Sequence, residues 1–203
     1  GVLAVGLCMV ALSPLPCLAD LYGSYLVGGP GGGIKAGGVW DSPDTRITWS
    51  VTPSSLTPGA LTYKYEFVVP ERDLSHIIIQ VSDYAGGLDA FSFDDPRDFI
   101  NTQGYVIEGE KPQVELDTFR STDPSNPGMP AGSSVYGLKF QDMFEGGPPY
   151  TWTLEFDSFR APMWGDFYAK DGLKTIYAYD TGLELPGGAK IAVPDTAYVP
   201  VPG

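Results

Sequence analysis

The chain has 203 residues, the size of one domain, and its 43% hydrophobic and 13% aromatic content is enough to build a substantial core. The formal net charge is −13, and all of it falls on residues 20–203, because residues 1–19 carry no charged side chain. That balance repels polyanions, which excludes nucleic-acid binding through phosphate neutralisation and adsorption to an anionic lipid surface.

The first 19 residues read as a secretory leader. Val2 to Leu12 is an apolar run, Ser13, Pro14 and Pro16 break it, and Cys17-Leu18-Ala19 ends it with the small residues a signal peptidase requires. Cleavage would leave Asp20 first. A positively charged n-region and an initiating Met are absent. Both cysteines, Cys8 and Cys17, lie in this segment, so the mature chain would hold no disulfide and no thiolate metal site.

Leu21 to Gly38 is rich in glycine, with Gly28-Gly29-Pro30-Gly31-Gly32-Gly33 at its centre. A phosphate-cradling loop needs Gly-Lys followed by Ser or Thr at the start of a helix, and Ile34-Lys35-Ala36 opens none. The segment is expected to be a flexible loop. Trp40 to Asp44 forms a turn. From Arg46 to Thr52 and from Leu61 to Val69, apolar and polar residues alternate with the period of half-buried strands. Ile77-Ile78-Ile79 and Val81 are apolar on both faces, the mark of a central strand.

Asp83 to Asp98 holds five aspartates, Asp83, Asp89, Asp94, Asp95 and Asp98. Carboxylates on a loop suit a hard cation that takes six to eight oxygens, so a structural Ca²⁺ is one expectation and a solvated acidic loop the other. Pro96 after Asp95 predicts a short helix over Arg97 to Asn101. Tyr105 to Ile107 and Val114 to Leu116 are weaker strand candidates, and Ser121 to Ser134 is a turn-rich loop. Strands follow at Val135 to Phe140 and Thr151 to Asp157, joined by a hairpin-type connection at Glu145 to Pro149. In the second strand Trp152, Leu154 and Phe156 face inward. Pro162 to Ala169 and Thr175 to Tyr179 supply an aromatic pair around Lys170-Asp171-Gly172-Leu173.

These strands, about eight of them, with 26 Gly and 19 Pro between them, predict an all-β fold. The economical form is an antiparallel β-sandwich, jelly-roll-like, with long Gly/Pro-rich loops; a closed barrel is the alternative.

Chemistry is sparse. The lone histidine, His76, sits beside Ser75 and Asp73, but neighbours along a strand point to opposite faces, so it is expected to be structural. A glycosidase needs two acids about 5 to 10 Å apart across a cleft, and Glu66, Glu115, Glu155 and Asp166 are the candidates. Trp49 and Trp152 belong to core faces, whereas Trp40 and Trp164, placed in turns, are candidate sugar-stacking platforms for a carbohydrate-binding module.

From Gly187 the chain becomes extended and proline-spaced, and Val193-Pro194-Asp195 and Val199-Pro200-Val201-Pro202-Gly203 look like a linker. Here the chain resembles exported bacterial proteins of the PEP-CTERM, exosortase-sorted class. Val199-Pro200-Val201-Pro202 sits where the Pro-Glu-Pro type motif would be, with Val201 in place of the glutamate. Further resemblance runs through Pro70 to His76, Ser134 to Phe140 and Arg160 to Gly172. It implies a leader at 1–19, a β-sandwich at 20–186 and a linker at 187–203 leading to a membrane helix. Signal peptidase and an exosortase-type sorting enzyme would be its partners, with extracellular polysaccharide as a further candidate and the cell surface or extracellular matrix as destination. It implies no catalytic residue. The expected function is structural or adhesive, with a carbohydrate-binding module and a glycoside hydrolase as alternatives.

Overall fold

The computed structural model describes residues 21–28, 33–82, 90–101, 105–107, 113–141 and 148–198. Fourteen strands run through them: β1 (Leu21–Leu26), β2 (Ile34–Gly37), β3 (Arg46–Pro53), β4 (Leu61–Val69), β5 (His76–Gln80), β6 (Ile100–Asn101), β7 (Val106–Ile107), β8 (Gln113–Arg120), β9 (Ser134–Gln141), β10 (Tyr150–Ser158), β11 (Arg160–Gly165), β12 (Phe167–Lys170), β13 (Tyr177–Asp180) and β14 (Ile191–Tyr198). Single 3-10 turns at Gly38–Trp40 and Thr181–Leu183 are the only helical elements among the described residues. The fold is all-β, as its alternation predicts.

One sheet has the order β1-β3-β4-β10-β6, a second β2-β13-β12-β5-β9-β8-β7, and β11 and β14 form a two-stranded ribbon. Pairing is antiparallel except between β7 and β8. The alternating faces explain the packing. Ile47, Trp49 and Val51 of β3, Tyr63, Tyr65 and Phe67 of β4, and Trp152, Leu154 and Phe156 of β10 all point into one core. Ile77 and Ile79 of β5, Leu138 and Phe140 of β9, and Phe167 and Ala169 of β12 belong to the same core from the second sheet. Rings carry much of the contact: Tyr63 stacks on Phe156 at 5.6 Å and Phe67 on Trp152 at 6.2 Å. Each such pair contributes about 0.5–1.5 kcal/mol beyond its buried area.

β5 is buried on both faces because the second sheet has two covered sides. Its Ile78 joins Phe119, Met129, Val135, Tyr168 and Tyr179 in a separate cluster. The turn-rich segment 121–133 supplies Met129 to this cluster, and Tyr168 Oη donates to Pro127 O at 2.6 Å. Gly128 adopts φ +78°, and a Cβ there would lie 2.1 Å from the Tyr177 ring, so only glycine fits. What the sequence marks as a loop is therefore a cover for the outer face of a sheet.

Several expectations change. The glycine-rich segment before Trp40 contains β1 and β2, which extend opposite sheets. Gly23 faces Trp49 so closely that a Cβ would sit 1.8 Å from the indole, and this glycine gives up a side chain so that Trp49 can pack. No helix forms over Arg97–Asn101; a turn precedes β6, which pairs with β10. β9 and β10 lie in different sheets and so do not pair as a hairpin. Asp157, on the strand face opposite Trp152, Leu154 and Phe156, is nonetheless buried and accepts hydrogen bonds from Ser54 Oγ and, at 2.6 Å, Thr62 Oγ1. Finally, the segment expected to be a linker is structured as far as Tyr198. Ile191, Ala192 and Val193 of β14 are fully buried, and Tyr65 Oη donates to Ala192 O at 2.9 Å.

Candidate functional site

β14 is held by a cluster of charged groups at the corner where β10 turns into β11. Arg160 opens β11, and its side chain is 1% exposed beside an Asp98 side chain that is 0% exposed. Nε donates to Asp98 Oδ1 at 2.6 Å and Nη2 to Oδ2 at 2.7 Å, the bidentate fork that planar guanidinium and carboxylate groups favour. The remaining donors reach backbone carbonyls: Nη1 to Thr196 O at 3.0 Å and Asp195 O at 3.3 Å, and Nη2 to Ala90 O at 3.2 Å. Asp98 is saturated as well, because Ser92 N–H donates to Oδ2 at 2.9 Å and Tyr198 Oη to Oδ1 at 2.8 Å. One ion pair thus ties the acidic turn, the β10–β11 corner and β14 together.

The rim of this cluster faces solvent. Arg97 forks onto Asp95, with Nε to Oδ1 at 2.9 Å and Nη2 to Oδ2 at 2.6 Å, and its guanidinium lies 4.1 Å from the centre of the Tyr198 ring. Arg160 lies 4.5 Å from the same centre, so two cations contact the Tyr198 ring. The Arg97 hydrogen bond holds the Asp95 carboxyl well below the usual carboxylate range. Burial, then the bonds to Asp98 and Asp95, push the Tyr198 phenol up to about 12. Burial works against the Arg160 charge, yet Asp98 more than offsets it and raises the guanidinium pKa. An open cleft of about 450 Å³ above the cluster is lined by Ala90, Ser92, Asp94, Pro96 and Arg97 with their partners. It presents fixed ion pairs and no nucleophile–base pair.

The expected site residues fare as follows. Asp83 and Asp89 lie outside the described residues, as do Val199, Pro200, Val201 and Pro202. Asp94 is exposed at the cleft, while Asp95 and Asp98 are engaged by arginines. Among the described residues no three His, Cys, Asp or Glu side chains gather as metal ligands. Trp40 is no platform: it is 0% exposed, packs edge-on against Phe67, and its Nε1 donates to Glu71 O at 2.8 Å. The turn that carries it folds inward because the indole completes the core. Trp164 is 56% exposed, on β11 and not in a turn. A further exposed ring, Tyr22 at 63%, borders a groove of about 350 Å³ with Thr48, Ser50, Lys64 and Glu66. It went unnoticed in the sequence because its strand did.

Protein-family models, curated proteins and solved structures give no match to this chain. Function must therefore be read from the residues. Two of the four acids weighed for hydrolysis, Glu66 and Glu155, are diagonal neighbours across β4 and β10, and each of the four is engaged by a cation. Glu66 and Glu155 lie on strands of the first sheet and Glu115 on the second, and they pair with Arg46 at 3.9 Å, Lys64 at 3.4 Å and Lys139 at 3.1 Å respectively. Asp166 pairs with Lys190. His76 is buried at the start of β5, where burial, assisted by Lys139 and Lys170, lowers its pKa to about 3 and keeps the ring neutral.

Proposed function

We propose that the chain is an exported, non-catalytic β-sandwich protein of a bacterial cell surface or extracellular matrix, delivered by the leader at 1–19 and sorted through a tail carrying Val199-Pro200-Val201-Pro202. The observation that supports this reading most is how its charged groups are used. The carboxylates considered for catalysis sit in separate ion pairs on different strands, and the most buried pair, Arg160 with Asp98, holds strands together. Such a body carries load without cysteines in residues 20–203. The test is fractionation of an exporting host that has an exosortase-type enzyme. The parent chain is expected in the envelope or matrix fraction, and a Pro200→Ala/Pro202→Ala variant is expected to accumulate unsorted. Equal sorting of the two would remove the tail from the account.

A carbohydrate-binding role is the second reading, favoured by the exposed rings of Trp164 and Tyr22, since sugar faces stack on exposed aromatic rings. Sedimentation with insoluble polysaccharides tests it: loss of binding in Trp164→Ala or Tyr22→Ala supports it, and no binding by the parent chain ends it.

A further inference from the structure

A second charged cluster lies away from Arg160, where the loop between β11 and β12 meets the residue before β14. Lys190 Nζ is 2.7 Å from Asp166 Oδ1 and 2.8 Å from Oδ2. Both partners are held by backbone. Gln80 N–H donates to Asp166 O at 3.0 Å, and Asp166 N–H donates to Gln80 Oε1 at 2.7 Å. The segment leading to Lys190 is fixed to the 3-10 turn by Gly182 N–H to Ala189 O at 2.8 Å and Ala189 N–H to Thr181 Oγ1 at 2.9 Å. Gly182 roofs the pair: a Cβ there would lie 2.6 Å from both Asp166 Oδ1 and Lys190 Cγ. A third group completes the cluster. Asp180, the last residue of β13, is 0% exposed, its Oδ1 accepts from the N–H of Phe167, next to Asp166, at 3.3 Å, and its Oδ2 finds no hydrogen-bond partner.

A buried carboxyl oxygen with no partner costs stability in an ordinary structural role, and Asp180 lies close enough to Asp166 and Lys190 for the charges of both to act on it. We propose that Lys190 and Asp166 are joined by an intramolecular amide bond, formed as the chain folds, with Asp180 as the proton relay. The geometry supplies proximity: a nitrogen hydrogen-bonded to both carboxylate oxygens has the carbon between them at roughly 3 to 3.5 Å, the near-attack range. Rotation about the soft Cβ–Cγ torsion of Asp166 turns the carboxyl face toward Nζ.

The step balances without any other reactant. The Lys190 ammonium passes one proton to the Asp166 carboxylate along their hydrogen bond. The freed amine attacks Cγ and the Nζ–Cγ bond forms. Asp180 gives its proton to the departing oxygen, the Cγ–O bond breaks and water leaves, and the nitrogen returns a proton to Asp180. Burial, with the Asp166 charge second, raises the Asp180 pKa well above the carboxylate range, so the acid holds the proton it must donate. The product ties the start of β12 to the start of β14 and encloses β12, β13 and the 3-10 turn in a covalent loop. It goes beyond the proposed surface role and stands or falls separately from it.

Mass spectrometry of the purified, folded full chain decides the matter. The chain is expected to be lighter than its sequence by one water. A tryptic digest should join peptide 161–170 to a peptide that begins at Thr175 and reads through an uncut Lys190. Lys190→Arg, which keeps a cation, should restore the full sequence mass in a folded chain. Asp180→Asn, also folded by circular dichroism, should stay at full mass or lose water far more slowly after refolding. A folded parent at full sequence mass overturns the bond. So does water missing from a linear 161–170 peptide, which would be an Asp166 succinimide. A link that forms in Asp180→Asn at the parent rate overturns the relay.

Discussion

β10 and β14 are both long strands, yet different forces hold them. β10 lies between β4 and β6, and its Trp152, Leu154 and Phe156 are packed among the rings of β4 and the second sheet. β14 has a single strand neighbour, β11, and although Ile191 to Val193 enter the core, its last third is gripped by the guanidinium of Arg160, which bonds the Asp195 and Thr196 carbonyls and lies over the Tyr198 ring. A central strand can rest on apolar area alone. An edge ribbon closing the side of a sandwich has less area, and here a saturated ion pair supplies the rest.

The largest expected effect separates these two kinds of cohesion. Phe156→Ala opens a cavity in the ring stack and should cost about 3–5 kcal/mol in urea unfolding. Asp98→Ala should cost a similar amount, about 3–5 kcal/mol, because it strands a buried guanidinium. The two variants part when the ion pair is removed whole. Asp98→Leu/Arg160→Met should remain well below the parent, since the carbonyls of Ala90, Asp195 and Thr196 lose their donors. Full recovery in that double variant would show that the pair adds nothing beyond filled space.

Next in size is the pH response of the second sheet. His76 is neutral in the fold, with its pKa lowered to about 3, and regains an ordinary value near 6.5 on unfolding. Between those values the unfolded chain binds the extra proton, so stability rises with pH across the window and is lost on acidification from pH 6.5 toward pH 3. The loss should be on the order of a few kcal/mol. Burial sets most of its size, with Lys139 and Lys170 adding to it and Asn126 and Asp123 opposing it. His76→Gln should flatten this part of a stability–pH profile measured by urea titration; an unchanged slope would assign the response to other groups.

β3, β4 and β10 were legible because strict alternation over five or more residues has one physical meaning, a sheet with a buried face, and β5 because a short continuous apolar run marks a strand buried on both faces. β1 was not, since Gly23 occupies an inward position and breaks the apolar count, while the reason for that glycine, the Trp49 ring, lies 26 positions along the chain. β14 was hidden by Pro194. Proline cannot donate to a ladder, which argues for a linker, but β14 pairs on one side only and an edge strand tolerates it. The Arg160–Asp98 contact spans 62 positions and has no local signature. Trp40 shows the converse error, a turn residue taken as exposed when its indole was needed inside.

Smaller effects mark the limits of the contrast. Glu155→Gln removes one partner of the Lys64 pair on the sheet surface, and thermal unfolding should shift by no more than about 0.5 kcal/mol, as for exposed ion pairs generally. Excess EDTA should leave the melting midpoint unchanged, because Arg97 and Arg160 supply the positive charge that Asp95 and Asp98 require. A drop in the midpoint would restore a cation to the acidic turn.

Amide hydrogen exchange across β14, with β10 as the internal standard, tests the main claim most directly. The account predicts that Ala192 and Val193 exchange with protection close to that of Leu154, and that Asp98→Ala lowers protection in β14 far more than in β10. Exchange of Ala192 and Val193 at open-chain rates, with Leu154 still protected, would contradict it.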